Sequence, residues 1–329
     1  MIEADLIVVG GGPAGLSAAV RAAWLGTLPP SSVLRLRIIV LEACASLGGL
    51  TRWQPVRTFA PRMFFAEDEL AALVEGCAQR GVEIRHEEVL ALSQAGDRKV
   101  VRTATSEYDC GALVIAAGMK RSFEAEPGLY RSRKLLFVPT TDHGFLSSLV
   151  ADLEGKRGAR KLVVCGTARA TGFFQAVRTA AALSEVVCIA EPPYTVGPDE
   201  GAERARVVDL SENGGGVRVS LAAEGSGLAR ELDADAVIFD LESYERLGTA
   251  LRDFGSLGLD VRSGFVQADR AMRTNVPGVF CAGDVSGPPF AVAKALSEGM
   301  IAGFSAYAYL HERKTGQAPD LYPYVPLPA

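Results

Sequence analysis

Gly10, Gly12 and Gly15 stand in the order G-x-G-x-x-G near the start of the chain, with Pro13 and Ala14 between the last two. That spacing suits a phosphate group: one glycine makes a tight turn, one lets the backbone approach, and one lets the following helix pack close. Glu42 follows the apolar run LRIIVL, a place from which a carboxylate can accept hydrogen bonds from a ribose. Pyrophosphate beside ribose is the signature of a dinucleotide, and a helix N-terminus would face its negative charge. Gly48 and Gly49, in ACASLGGLTRW, permit a further close approach of backbone.

The elements that must position these groups are legible around them. Asp5 to Gly10 (DLIVVG) predicts a strand, Pro13 to Leu25 an alanine-rich helix, and Leu36 to Leu41 a second strand. A glycine motif by itself is a common turn, but strand, loop, helix, strand and acid in this order specify a doubly wound dinucleotide fold.

Far downstream, Thr274 to Asp284 (TNVPGVFCAGD) precedes a helical stretch from Ala291 to about His311. Together with GGGPAG and Glu42, this combination resembles the low-molecular-weight thioredoxin reductase family. The resemblance implies FAD: Asp284 would hold the ribityl chain, Gly283 would make the turn, and the backbone around Phe290, Ala291 and Val292 would face the flavin ring. A helix N-terminus there stabilises the charge that gathers on reduced flavin. LVIAAG, ending in Ala117 and Gly118, resembles the strand by which the family's chain leaves its FAD domain, with Ala117 in place of threonine. Glu88 and Val89 resemble the segment that contacts adenine through its backbone. With Gly10, Gly12, Pro13, Ala14, Gly15, Glu42 and Gly49, these residues make up the expected cofactor site.

The fold class implied is α/β, with two doubly wound, Rossmann-like domains, the second inserted into the first. Residues 1–120 and 250–329 form the expected FAD domain, and residues 121–249 the inserted one, with linkers near Glu124 to Gly128 and Ser243 to Leu251.

The inserted segment departs from the family. Its first strand, KLVVC, leads to Gly166, but the loop reads GTARAT, with Ala168 and Thr171 where small glycines admit NADPH. The next strand ends on Glu191, Pro192 and Pro193 where relatives hold the 2′-phosphate with basic residues, and a carboxylate there repels it. Arg169 is either a compensating phosphate ligand or a solvated charge. ADAVIFD then runs into LESYERLG without the family's glycine turn. NAD(P)H is thus a poor fit, NADPH more so than NADH.

No two of the six cysteines (Cys44, Cys77, Cys110, Cys165, Cys188 and Cys281) form a CxxC pair, and LLFVPTTDHGF fills the interval where the family carries its redox thiols. Without paired thiols a disulfide relay from flavin does not run. In that interval Asp142 and His143 are either proton carriers beside a flavin or a helix-capping turn. Trp53, Phe59, Phe64 and Phe65 could cover the ring or simply pack, and Lys294 could pair with reduced flavin or with solvent.

At 329 residues, 48% apolar and 22% charged, the chain supports two cores. A net charge of -5 gives no basic field for nucleic acid. Scattered cysteines argue against a disulfide framework or a zinc site, so no metal is expected. No apolar run reaches the roughly 18 residues a membrane span needs, and no basic leader precedes the first strand, so a cytoplasmic setting is expected. The resemblance implies a homodimer, and the tail LYPYVPLPA reads as extended.

Three functions remain open. The first is a flavin-dependent oxidoreductase, not a thioredoxin reductase, with a donor or acceptor other than NADPH: a ferredoxin, a small-molecule substrate or oxygen. The second is an NAD(P)H-dependent enzyme resembling ferredoxin reductases, and the third a non-catalytic binding protein with structural FAD.

Overall fold

Alternation within β1 (Ile2–Val9) sets the architecture of the first unit: Leu6 and Val8 enter one buried cluster, Ile7 and Val9 another. A strand buried on both faces belongs in the middle of a layered α/β sheet. In the computed structural model of the chain, the described residues are 1–28, 34–43, 47–52, 56–57, 64–65, 67–118, 120–121, 124–125, 134–138, 143–166, 171–191, 201–223, 228–240, 244–245 and 257–319. Two compact units emerge, Met1–Lys120 with Arg246–Ala329, and Arg121–Glu245.

In the first unit, β1 leads through the glycine loop into α1 (Pro13–Leu25), then β2 (Ile38–Leu41), α2 (Glu67–Gln79) and β3 (Glu83–Arg85). A meander follows: β4 (Val89–Ala95), β5 (Arg98–Thr103) and β6 (Glu107–Ile115). The strand order is β3-β2-β1-β6-β5-β4, parallel from β3 to β6 and antiparallel beyond.

The second unit brings β7 (Leu135–Val138), α3 (His143–Lys156), β8 (Lys161–Gly166), α4 (Thr171–Ala180) and β9 (Glu185–Ala190). Then come β10 (Glu203–Asn213), β11 (Gly216–Ala223), β12 (Leu228–Ala234) and β13 (Ala236–Asp240). The order β7-β13-β8-β9-β10-β11-β12 is again a parallel sheet carrying an antiparallel hairpin layer. Phe173, Phe174 and Val177 of α4 pack with Leu146, Val150 and Leu153 of α3 on this sheet.

The chain returns to the first unit as β14 (Val279–Cys281), parallel to the second half of β6, and α5 (Val292–Thr315). α5 closes at Gly316, which adopts a left-handed φ of 75° and donates its N–H to Glu312. Arg313 and Lys314 in its last turn pair with Asp97 and Asp5.

The expected two-domain α/β fold is borne out. The helix at Pro13–Leu25 matches its sequence reading, whereas the second strand is shorter, starting at Ile38, and the closing helix runs on to Thr315. Among the described residues no helix is long and apolar enough to cross a membrane, and no cluster of residues suits a metal ion.

Candidate functional site

Four strands of the first unit end side by side. Gly10 donates its N–H to Leu41 at 2.8 Å, Ala116 to Val9 at 2.8 Å, and Ala282 to Ile115 at 3.0 Å. Ligands of doubly wound folds bind outside such carboxyl ends. Gly15 is there for packing, since a methyl would stand 3.1 Å from the Gly10 carbonyl carbon and 3.2 Å from Val8 Cγ1. Gly12 has no such reason: a methyl would meet nothing nearer than Gly49 Cα at 3.9 Å. The space above Gly12 and Gly49 is therefore a cradle of bare backbone. Pro13 opens α1 with no side-chain cap at Gly12, so the first-turn N–H groups lack intrahelical acceptors and face that space.

Glu42 lies at the end of β2, 7% exposed, and accepts the Gly11 N–H at 2.7 Å through one carboxylate oxygen. Gly48 donates to the Gly11 carbonyl at 2.8 Å, which ties the 47–52 turn to the glycine loop. Val89 begins β4 opposite Thr103, and beside it Glu87 accepts hydroxyls from Thr103 at 2.6 Å and Tyr108 at 2.7 Å. Ala117 and Gly118 follow β6 at the same edge, half-buried.

At the far end, Gly283 turns the chain with φ +83°, and a short 3-10 turn, Gly283–Ser286, carries Asp284. The Asp284 carboxylate is half-buried and has no hydrogen-bond donor among the described residues. Burial, with Glu298 adding to it and Lys294 opposing, raises its carboxyl to about 6. A half-buried acid that lacks a donor among the described residues is what a ligand hydroxyl would satisfy. Phe290 packs on Phe265 with ring centroids 5.9 Å apart, and Ala291 caps α5 without a side-chain hydrogen bond, leaving the N–H groups of Val292 and its neighbours available.

Both ends are held by one helix crossing. A methyl on Gly299 would stand 2.9 Å from the Ala14 carbonyl carbon, and one on Gly303 2.9 Å from that of Ala18. Ser17 donates its hydroxyl to Leu296 at 2.9 Å in the same seam. The starts of α1 and α5 are thus fixed relative to each other. Sequence reasoning missed this seam, although paired small residues four apart, Ala14 with Ala18 and Gly299 with Gly303, were its signal.

It also left Lys294 between flavin and solvent. The ammonium is instead turned inward: it donates to Gly283 O at 2.9 Å and Ser286 Oγ at 2.8 Å, and pairs with Glu298 at 2.9 Å. Glu298 was not singled out in the sequence at all. The i, i+4 spacing from Lys294 was the available signal.

In the second unit, Glu191 ends β9 as Glu42 ends β2, but its carboxylate accepts the Val207 N–H of β10 at 3.0 Å and is 5% exposed. His143 is the first residue of α3. Cys44, Trp53, Phe59, Thr140, Thr141, Asp142, Ala168, Arg169, Pro192, Pro193 and the tail from Leu321 lie outside the described residues. Cys77, Cys110, Cys165, Cys188 and Cys281 are buried. Burial pushes the thiols of Cys77 to about 11 and of Cys110 and Cys281 to about 12, and holds that of Cys165 well above its ordinary value. Such thiols stay protonated and unreactive at neutral pH.

Two doubly wound units, one opening on a bare glycine cradle with an acid beyond it, define a dinucleotide-dependent oxidoreductase class. The chain belongs to the pyridine nucleotide-disulphide oxidoreductase family, which it matches over residues 4–299. It is 28% identical over 328 residues to a ferredoxin–NADP reductase of Ignicoccus hospitalis, covering 93% of this chain and 98% of that one. It is 23% identical over 317 residues to a thioredoxin reductase of Listeria innocua, covering 94% and 95%. Its fold is similar to the crystal structure of thioredoxin reductase from Streptococcus pyogenes MGAS5005, at a TM-score of 0.58 and 20% identity over 94% of this chain and 99% of that one. Membership implies FAD, so the protein is a flavin-dependent oxidoreductase of the thioredoxin reductase and ferredoxin–NADP reductase kind.

Proposed function

We propose that the protein is an FAD-dependent oxidoreductase that exchanges electrons with a partner other than NADPH, without an internal thiol relay. In this reading residues 1–120 and 250–329 form the FAD domain and residues 121–249 a degenerate NAD(P)-binding-like domain. The cradle at Gly10, Gly12, Pro13, Ala14, Gly15 and Gly49 takes the pyrophosphate, and Glu42 the adenosine ribose. Val89 lines the adenine side, and Ala117 and Gly118 border the cofactor where β6 leaves the domain. Asp284 accepts a ribityl hydroxyl, and the backbone of Phe290, Ala291 and Val292 faces the flavin. When bound, FAD supplies the two-electron redox chemistry, and the chain's own residues bind and orient it.

The observation that carries the choice of donor is Glu191. A buried carboxylate bonded to β10 stands where a 2′-phosphate would need a cation, and like charge disfavours NADPH. The inert thiols support the absence of a disulfide relay. A small redox protein such as a ferredoxin, or a reduced small molecule, then supplies electrons. Anaerobic stopped-flow mixing of the flavin-loaded enzyme with NADPH, NADH and reduced ferredoxin tests this. Fast bleaching by ferredoxin and not by NADPH is expected, and fast bleaching by NADPH would overturn it.

A second reading keeps NAD(P)H as the donor and ferredoxin as the acceptor. It is favoured by the 28% relative named a ferredoxin–NADP reductase. NADH bleaching the flavin while NADPH does not would fit this reading in the form that Glu191 permits.

A further inference from the structure

We propose that Lys294 and Glu298 are positioning residues: a charge-balanced pair that grips the Gly283–Ser286 turn from beneath and governs how Asp284 meets a ribityl hydroxyl. The proposal rests on the reading of the first unit as the FAD holder.

The pair commands both backbone groups of Gly283. Glu298 Oε2 accepts the Gly283 N–H at 2.9 Å, and Lys294 Nζ donates to the Gly283 carbonyl at 2.9 Å. Ser286, at the other end of the turn, gives its hydroxyl to Glu298 at 2.8 Å and stands 2.8 Å from Lys294 Nζ. The residue directly after Gly283 is Asp284, so the turn that aims this carboxylate is tied at both ends to the first two turns of α5. Charge-assisted bonds to backbone are among the strong ones, and these are shielded, with Lys294 and Glu298 side chains only 14% and 17% exposed.

Helix physics alone does not account for this placement. Lysine in the first turn opposes the helix dipole, and lysine four residues before glutamate is the weaker order for such a pair. A locally unfavourable arrangement that is fully bonded in the tertiary structure points to a task beyond helix stability. The two charges also act on Asp284 in opposite senses, Lys294 favouring its ionised form and Glu298 disfavouring it. Among the described residues no other titratable group acts on it: α1 presents Ala14 to the turn, the strand Phe265–Val266 is apolar, and the Cys281 thiol on β14 stays neutral.

The test is FAD affinity of the apoprotein, followed by flavin fluorescence quenching between about pH 5 and about pH 8. For the wild type, affinity rises as Asp284 ionises near pH 6. Lys294→Met leaves Glu298 facing Asp284, so the rise moves to higher pH by about one unit, which lowers affinity about tenfold at pH 5 and about twofold at pH 7. Glu298→Gln leaves the cation alone, so the rise moves to lower pH while the plateau affinity drops. Lys294→Arg retains the wild-type profile. A merely structural role lowers affinity equally at every pH, and variants with unshifted profiles, or shifts in one common direction, overturn the proposal. If circular dichroism shows Lys294→Met unfolded, Glu298→Gln decides alone: a shift to lower pH supports the pairing and none overturns it. A wild-type chain that takes no FAD at any pH would instead sink the reading of the first unit, and the proposal with it.

Discussion

Replacing Gly299 by alanine should damage stability and cofactor affinity together. A methyl there would sit 2.9 Å from the Ala14 carbonyl carbon and 3.0 Å from its Cα, where ordinary van der Waals contact begins at 3.4 Å. The obstructing atoms are backbone on a buried helix, so no side chain can swing away. α1 and α5 must separate by about half an ångström or more, at a cost of ~2–3 kcal/mol for overpacking. In a protein of this size that lowers Tm by roughly 3–5 °C. Because Ala14 belongs to the glycine cradle and α5 carries the Asp284 turn, the same separation pulls the two ends of the proposed cofactor site apart, and FAD affinity should fall about tenfold or more. Differential scanning fluorimetry of the apoprotein and FAD titration measure the two effects. Gly155→Ala is the internal control, since Gly155 lies on an exposed part of α3 with no atom within 4 Å of the added methyl, and alanine there should be neutral or stabilising by a few tenths of a kcal/mol. Wild-type Tm and affinity in Gly299→Ala would refute the helix-seam argument.

Asp284→Asn should make the apoprotein more stable at pH 7 while weakening FAD binding. With its carboxyl raised to about 6, ionising Asp284 costs folding stability as pH rises from its unfolded value towards 6, a loss of about 1 kcal/mol once its partial exposure is discounted. Urea titrations of both forms at pH 5 and 7 would show a gap that widens with pH, and a gap independent of pH would contradict it. Glu42→Ala removes the proposed ribose acceptor, so FAD affinity should drop by ~2 kcal/mol, read as a change in dissociation constant, and it also leaves the buried Gly11 N–H without its acceptor, which lowers stability. Glu154 caps the loop after α4 by accepting N–H groups of Ala182, Leu183 and Ser184. Burial works against its ionised form, but these bonds outweigh it and hold its pKa low, so the stability it contributes is present above the ordinary carboxylate range and lost as pH falls through the lowered value. Glu154→Gln should therefore flatten the acid side of the stability curve. The five described thiols should resist a thiol-reactive dye in the native protein at pH 8 and react on unfolding, and fast native labelling at Cys77, Cys110, Cys165 or Cys281 would contradict their burial.

Gly10, Gly12, Gly15 and Glu42 stood out because glycine spacing and position at strand ends are encoded in local pattern, whereas Asp284 was singled out through the family resemblance. The antiparallel layers escaped notice. β4 with β5, and β10 with β11 and β12, are local hairpins joined by short turns, and they were passed over in favour of the glycine loops and strand ends. Lys294 was left open between flavin and solvent because a first-turn lysine shows its partner only once Glu298 on the next turn and the Gly283 backbone are placed beside it.

From residue order alone came the dinucleotide-binding class of fold at the start of the chain and the want of a CxxC pair, while the insertion of one doubly wound unit into another was implied by the family resemblance. These follow from spacing, hydrophobic period and residue type, which are properties of neighbours along the chain. Tertiary structure decided which glycines answer to packing and which leave open space, that Glu191 is spent on β10, and that the Asp284 turn hangs on Lys294 and Glu298. Those outcomes depend on distances between segments far apart in sequence, as when Ser17 meets Leu296, and only the folded chain brings such atoms within reach of one another.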